Sequence, residues 1–270
     1  MLTSSTSLSV QVIGVIPARM ASKRLPGKVL REIAGKPMIA WVVQAAAQAG
    51  VFDRLLVATD AEEVADLGRS HGWEVRMTSS ELSSGTDRVH AVAQQLVREG
   101  IHLDADDIFV NIQGDEPLLR PEHFHALLRP MQRPEVDVST VMTRCPAADI
   151  DNPNAVKVVV DRARKALYFS RATIPYDRDR QNRKGHSDNA LCWKHLGLYA
   201  YRKHILDRFP GLPASQLEAT ERLEQLRLLE NGISIYVEPV EHDTVGVDTE
   251  ADLKTASALL FHPDRQPLEP

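Results

Sequence analysis

Short apolar, β-branched runs alternate with longer helix-compatible segments through the first half of this chain. That alternation limits the available folds more than any other feature. Residues 10–16 form an apolar run that stops at Pro17, and after a basic loop residues 37–49 have helix-forming composition and end at Gly50, a natural C-cap. The pattern continues with strands predicted at 54–58, 73–77 and 107–112 and helices at 62–71 and 86–98. Strands separated by helices imply right-handed βαβ units and a largely parallel sheet. After residue 136 the rhythm changes: 136–143, 155–160 and 166–170 are strand-like without long helices between them. Residues 177–189 are polar and charged and read as a mobile loop, and 196–201 resume a strand. A helix over 216–230, a strand over 233–237 and a helix over 249–260 complete the series. The expected architecture is α/β: a mixed, mostly parallel sheet flanked by helices over residues 10–260, with an inserted antiparallel region at about 136–201. Residues 1–9 read as a polar tail and 261–270, rich in proline, as a flexible one.

Composition removes several function classes. Over 270 residues, 43% hydrophobic and 26% charged content excludes wholesale disorder. A net charge of −5 gives nucleic-acid binding no support, although a local basic site is compatible with it. No uncharged apolar run approaches the length of a membrane span, and the opening MLTSSTSLSV lacks the features of a secretion signal. Cys145 and Cys192 form neither a disulfide framework nor a cysteine metal site, which fits a reducing cytoplasm.

In open α/β sheets ligands bind at the C-terminal ends of the strands, and three segments should meet there. The first, residues 17–28, carries the cations Arg19, Lys23, Arg24 and Lys28 and no acid. With Ser22 and Gly27 beside them, this composition suits a polyphosphate cradle. It is not a G-x-x-x-x-G-K-[ST] loop, since Ser22 is not Gly and Val29 is neither Ser nor Thr. The alternative is a solvated basic loop; the strand context and two prolines favour phosphate. The second segment is Gln113-Gly-Asp-Glu-Pro117. Asp115 stands just past an apolar strand, where a carboxylate must be hydrated, paired or bound to a cation such as Mg²⁺. A plain polar turn before a helix near Pro121 is the other reading. The third is Val245-Gly-Val-Asp-Thr249, where Asp248 could complete a metal site with Asp115 or simply cap the last helix.

Other candidates are weaker. Residues 104–107 read as a solvated acidic turn. His123 and His125 fall on different helix faces and would not share a metal, and His195 reads as structural. Glu218, Glu221 and Gln225 line one face of the predicted 216–230 helix, an exposed face on that spacing.

The segments PARMASKRLPGK, GKPMI, VATD, SGTDR, QGDEP, NPNAVKVV, YFSRATIP, HLGLYAYR, LEQLR and GVDT together resemble the 3-deoxy-manno-octulosonate cytidylyltransferase family across residues 10–260. The resemblance implies a Rossmann-like nucleotidyltransferase fold, a homodimer joined through the middle region, and a cytoplasmic role in lipopolysaccharide biosynthesis. It implies transfer of CMP from CTP to the sugar acid 3-deoxy-D-manno-octulosonate (Kdo), with release of diphosphate and two Mg²⁺ ions taking part. By motif position, Arg19, Ser22, Arg24 and Lys28 would hold the triphosphate, Ser84, Gly85 and Arg88 would lie near the cytidine, and Gln113 near both substrates. Asp115 and Asp248 match metal ligands and, with Arg24 and Lys28, the catalytic set. Arg171, His195, Tyr199, Glu224 and Gln225 match the sugar side, with Arg171 facing the Kdo carboxylate. Met20, Lys23 and Asp87 replace residues common in the family without removing a required charge. Competing readings are the same chemistry on amino-substituted Kdo or sialic acid, a sugar-1-phosphate nucleotidyltransferase, and a nucleotide-binding module without turnover.

Overall fold

A computed structural model describes residues 10–20, 24–178 and 192–261. Its central strand, β1 (Val12–Ala18), shows why the fold is layered. Ile13 and Val15 enter one apolar cluster while Ile16 and Ala18 enter another on the opposite face, all fully buried. A strand apolar on both faces needs helices above and below it.

The chain supplies them in order. A small hairpin, β2 (Glu32–Ile33) and β3 (Lys36–Pro37), precedes α1 (Met38–Ala49), which ends at Gly50 with φ 62°. Then come β4 (Arg54–Thr59), α2 (Glu62–Ser70), β5 (Glu74–Met77), α3 (Gly85–Arg98) and β6 (Ile108–Asn111). Next are α4 (Pro121–Leu128), β7 (Val138–Arg144), β8 (Lys157–Val160), β9 (Ala166–Ser170) and β10 (Trp193–Arg202). The last elements are α5 (Lys203–Arg208), α6 (Gln216–Glu221), α7 (Gln225–Glu230), β11 (Ile235–Pro239) and α8 (Glu250–Leu260). The main sheet runs β11-β7-β10-β6-β1-β4-β5, with β8 and β9 attached beside β10. Ile39 and Val42 of α1 and Phe124 and Leu127 of α4 cover one face; Val89, Val92 and Leu96 of α3 and Leu226 of α7 cover the other. Each fully buried aliphatic side chain of this kind contributes roughly 1.5–3 kcal/mol.

The α/β class and the mixed, mostly parallel sheet are as expected. β6, β1, β4 and β5 are parallel, and β10 runs antiparallel to both β6 and β7. The antiparallel region is continuous with the main sheet: β7 and β10 lie within it, and only the β8–β9 pair extends from its side.

Several local expectations need correction. β1 does not stop at Pro17 but continues to Ala18. β6 pairs with β1 only over Val12–Val15, so the missing N–H of Pro17 breaks no ladder bond on that side. The helix expected over 216–230 is two helices, because Arg222 adopts the left-handed conformation (φ 55°) and its N–H caps Glu218 O. Consequently Glu218, Glu221 and Gln225 do not form one exposed face. Glu218 pairs with Arg227 at 2.6 Å, Glu221 accepts from Ser170 Oγ at 2.6 Å, and Gln225 is buried. In the acidic turn, Asp107 is 1% exposed and accepts from the amides of Gln11 and Asp104. His123 is buried and His125 exposed, so they do fall on different faces. The 1–9 tail, the 179–189 part of the charged loop and residues 262–270 lie outside the described residues.

Gly114 shows how tightly the loop after β6 meets the end of β1. A Cβ there would stand 2.7 Å from the carbonyl oxygen of Pro17, a backbone atom of the neighbouring strand. Gly114→Ala should therefore lose about 1–3 kcal/mol and lower Tm by roughly 2–6 °C in thermal unfolding. An unchanged Tm would mean the two loops yield freely.

Candidate active site

A cleft of about 1130 Å³ opens at the C-terminal ends of the parallel strands. The three loops anticipated there do converge. Lys28 Nζ donates to Asp115 and, at 2.9 Å, to Asp248 Oδ1; Arg24 Nη2 reaches Asp248 Oδ2 at 2.6 Å. The acidic loops are also joined by backbone, with Val247 N donating to Asp115 O at 2.9 Å. Asp248 is not the helix cap. Thr249 holds that position in a reciprocal capping box with Asp252, which leaves the Asp248 carboxylate to face the basic loop.

The charges in this cluster support one another. Burial works against the Lys28 ammonium, but Asp115 and Asp248 outweigh it and raise the pKa. Burial likewise disfavours the Asp248 carboxylate, yet Lys28 and Arg24 draw its pKa below the usual value. Two carboxylates that converge on a single Nζ present hard oxygen donors at a spacing one small cation bridges. That donor set fits Mg²⁺. Among the described residues no group of three His, Cys, Asp or Glu is placed to hold a metal.

On one wall, α3 points its N-terminus into the cleft. Ser84 caps it, accepting from Asp87 N at 3.0 Å, and Asp87 bonds back to Ser84 N, so Asp serves this capping box in place of the commoner Glu. Gly85 packs against Asn111, whose amide atoms a Cβ would meet at 3.2–3.3 Å. Arg19 lines the same wall, 3.5 Å from Ser83 O, and Gln113 is nearby. Arg88 is a correction to the expected nucleotide contacts. It is 1% exposed and binds Thr78 and Asp60 (3.1 Å) beneath the cleft, tying together the segments that leave β4 and β5. Ser22 lies outside the described residues.

Adjoining that wall, Arg171, His195, Tyr199, Glu224 and Gln225 also line the cleft. The break at Arg222 delivers Glu224 and Gln225 to it. Glu224 accepts from Thr86; burial raises its pKa against the bonds from Ser84 and Thr86. Arg171 donates to the carbonyls of Glu221 (2.7 Å), Pro153 (3.0 Å) and Arg222 (3.3 Å), so it clamps the turn as well as lining the cleft. His195 is buried, and burial pushes its pKa down to about 3, so the ring is neutral. Its Nε2 lies 3.0 Å from Thr140 Oγ1, whose own hydrogen goes to Leu198 O at 2.7 Å. The hydroxyl therefore accepts from Nε2–H, which fixes the tautomer. Leu198 lies where the β10–β7 register slips between Leu196 and Tyr199, a bulge that re-aims the strand beside the site.

Sequence reasoning missed Asn111, Glu116 and Lys194, all of which line the cleft. Glu116 is buried, and burial, with the Asp115 charge next, pushes its pKa up to about 7 against Thr244 and Lys194. Its place within QGDEP was the available signal. Lys194 bridges Asp149 (3.0 Å) and Asp243 (2.8 Å), two acids far apart in sequence, so no local pattern marks it. A second hollow of about 520 Å³ lies at the other ends of the strands, beside Val12 and Ile108. There Arg202 gives its donors to the carbonyls of Val136, Asp106, Met131 and Arg133.

The family described as Cytidylyltransferase matches residues 13–235. A 3-deoxy-manno-octulosonate cytidylyltransferase from Acidobacterium capsulatum is 56% identical over 94% of this chain and 98% of its own length. Another, from Koribacter versatilis, is 53% identical over 93% of this chain and 91% of its own. The solved structure of a CMP:2-keto-3-deoxy-manno-octonic acid synthetase complexed with CTP superposes with a TM-score of 0.83 at 41% identity, covering 93% of this chain and 98% of that one.

The neutral His195 sets a stability profile. Unfolded, its imidazole takes up a proton near its ordinary value of 6.5; folded, it does not until about 3. Stability is thus fully present above about pH 6.5 and lost as pH falls toward 3. Thermal unfolding of His195→Gln should show a shallower decline between about pH 6.5 and 4 than the unaltered protein. Parallel profiles would show that the ring is not buried neutral.

Proposed function

The chain belongs to the cytidylyltransferase family, and from that premise we propose that it is a 3-deoxy-manno-octulosonate cytidylyltransferase, joining CTP and Kdo to give CMP-Kdo and diphosphate for lipopolysaccharide biosynthesis. The observation that carries the site assignment is convergence. Arg24 and Lys28 from one loop meet Asp115 and Asp248 from two others beside a cleft that Arg171, His195, Tyr199, Glu224 and Gln225 also line.

The difficulty of the reaction is electrostatic. The anomeric 2-hydroxyl of one anion must bond to the α-phosphorus of a polyanion while the bond from that phosphorus to the bridging oxygen breaks and diphosphate leaves. Arg19, Arg24 and Lys28 supply positive charge where charge develops on the departing oxygens. Asp115 and Asp248 would hold one Mg²⁺, with a second on the triphosphate, supplying charge neutralisation and a lowered hydroxyl pKa. The chain's own residues position the partners. The α3 N-terminus at Ser84–Gly85 and Gln113 face the nucleotide. Arg171 has five N–H donors, three of them already on carbonyls, and turns the remaining two to the Kdo carboxylate. The hydroxyl proton leaves to solvent, and the enzyme acts chiefly through orientation and charge.

We place the reaction in the cytoplasm, where CTP is made; among the described residues no helix is long and apolar enough to cross a membrane. We also propose a homodimer, supported by Leu167 and Tyr176, 62% and 82% exposed on and beyond β9.

Pyrophosphate release with CTP, Mg²⁺ and Kdo tests the reading, with sialic acid and amino-substituted Kdo as comparison sugars. Asp115→Asn and Asp248→Asn should each lower kcat by about 100-fold or more, with circular dichroism unchanged, and EDTA should abolish turnover. Lys28→Met should lower kcat/KM for CTP. Near-normal turnover by either aspartate variant would reject the metal assignment.

A further inference from the structure

Three residues that line the cleft each carry a buried side-chain oxygen without a hydrogen-bond partner in the described protein: Asn111 Oδ1, Glu116 Oε2 and Tyr199 Oη. Their residues are 2%, 9% and 8% exposed. A folded protein leaves such groups orphaned at a cost to stability, and where several share one cavity they mark positions a ligand completes.

The chemistry of the ligand follows from the atoms. Asn111 donates through Nδ2 to Thr86 Oγ1 at 3.3 Å, so its carbonyl oxygen is the orphan, and a carbonyl oxygen only accepts. Glu116 also offers an acceptor, on a side chain that already bonds Thr244. The Tyr199 hydroxyl can donate or accept. A set that must accept at Asn111 and can accept or donate at Glu116 and Tyr199 suits neutral groups that do both, and an ionisable carboxyl group here disfavours phosphate or carboxylate. It therefore reads hydroxyl groups, while the anionic parts of the substrates go to the cationic loop and Arg171.

The fold builds the set deliberately. Asn111 and Tyr199 are register partners on β6 and β10. Glu116 abuts the bulge at Gly197, where a Cβ would stand 3.4 Å from Glu116 Oε1. Tyr199 lies beside the neutral His195, with ring centroids 5.3 Å apart. Resting on the function proposed above, we propose that Asn111 and Glu116, beside the sugar-side Tyr199, are specificity-determining residues that hydrogen-bond hydroxyl groups of the sugar acid. The ribose of CTP carries the same chemistry, so the test separates the two sources.

Turnover of the unaltered enzyme with CTP and Kdo is measured first, and its absence would overturn the function itself. Steady-state constants are then compared for Kdo and for analogues each lacking one hydroxyl, in the unaltered enzyme, Glu116→Met, Glu116→Gln and Asn111→Leu. The unaltered enzyme should prefer Kdo over at least one analogue by about tenfold or more in kcat/KM. That preference should collapse in Glu116→Met and Asn111→Leu while KM for CTP stays within about twofold, and Glu116→Gln, which keeps one acceptor, should be intermediate. Tyr199→Phe should raise KM for Kdo without lowering Tm, since it deletes an unpaired buried hydroxyl. If Glu116→Met does not fold, Glu116→Gln and Asn111→Leu decide the matter. Discrimination left intact in these variants, or a rise in KM for CTP in place of Kdo, would overturn the assignment.

Discussion

The ammonium of Lys28, held between Asp115 and Asp248, joins parts of the chain that share no neighbourhood in sequence. The basic loop leaves the first strand, Asp115 follows the strand beside it, and Asp248 precedes the final helix. Like charges on the two acids would push the loops apart; a common cation draws them together. The backbone bond from Val247 N to Asp115 O and the capping box at Thr249 keep this contact from depending on side chains alone. Three loops of the cleft are thereby drawn toward one point.

The other end of the cleft depends on a reversal of direction. A wholly parallel sheet would present only strand ends and their loops to a ligand. Because β10 enters antiparallel between β6 and β7, it lays its middle along the cleft and offers His195, Gly197 and Tyr199 in succession. The slipped register at Gly197 and Leu198 gives Glu116 room, and the left-handed Arg222 turns a second pair of polar side chains inward. Irregularities in otherwise regular elements thus fall along the cleft.

What could be read from sequence divides along the same line. The strand–helix alternation and Gly50 as a C-cap are local consequences of composition, and the structure carries them. The convergence of Arg24, Lys28, Asp115 and Asp248 was legible because strand ends in this class of sheet share one edge. Arg88 was misplaced because its motif gives proximity and not direction: one helical turn from Ser84, it points down to Asp60 instead of up to the cleft. The split at Arg222 had no Gly or Pro to announce it. Lys194 and Asn111 acquire their surroundings only from pairing across the sheet, which no spacing along the chain encodes.

The closed charge cluster at Lys28 also bears on how a catalytic cycle ends. A pocket made for a polyanion is ordinarily reluctant to release its by-product, since emptying it leaves cations facing one another. Here the cations carry internal counter-charges: Asp248 pairs with Arg24 and Lys28, and Asp115 with Lys28. An anion that approaches these cations must therefore compete with carboxylates already paired to them.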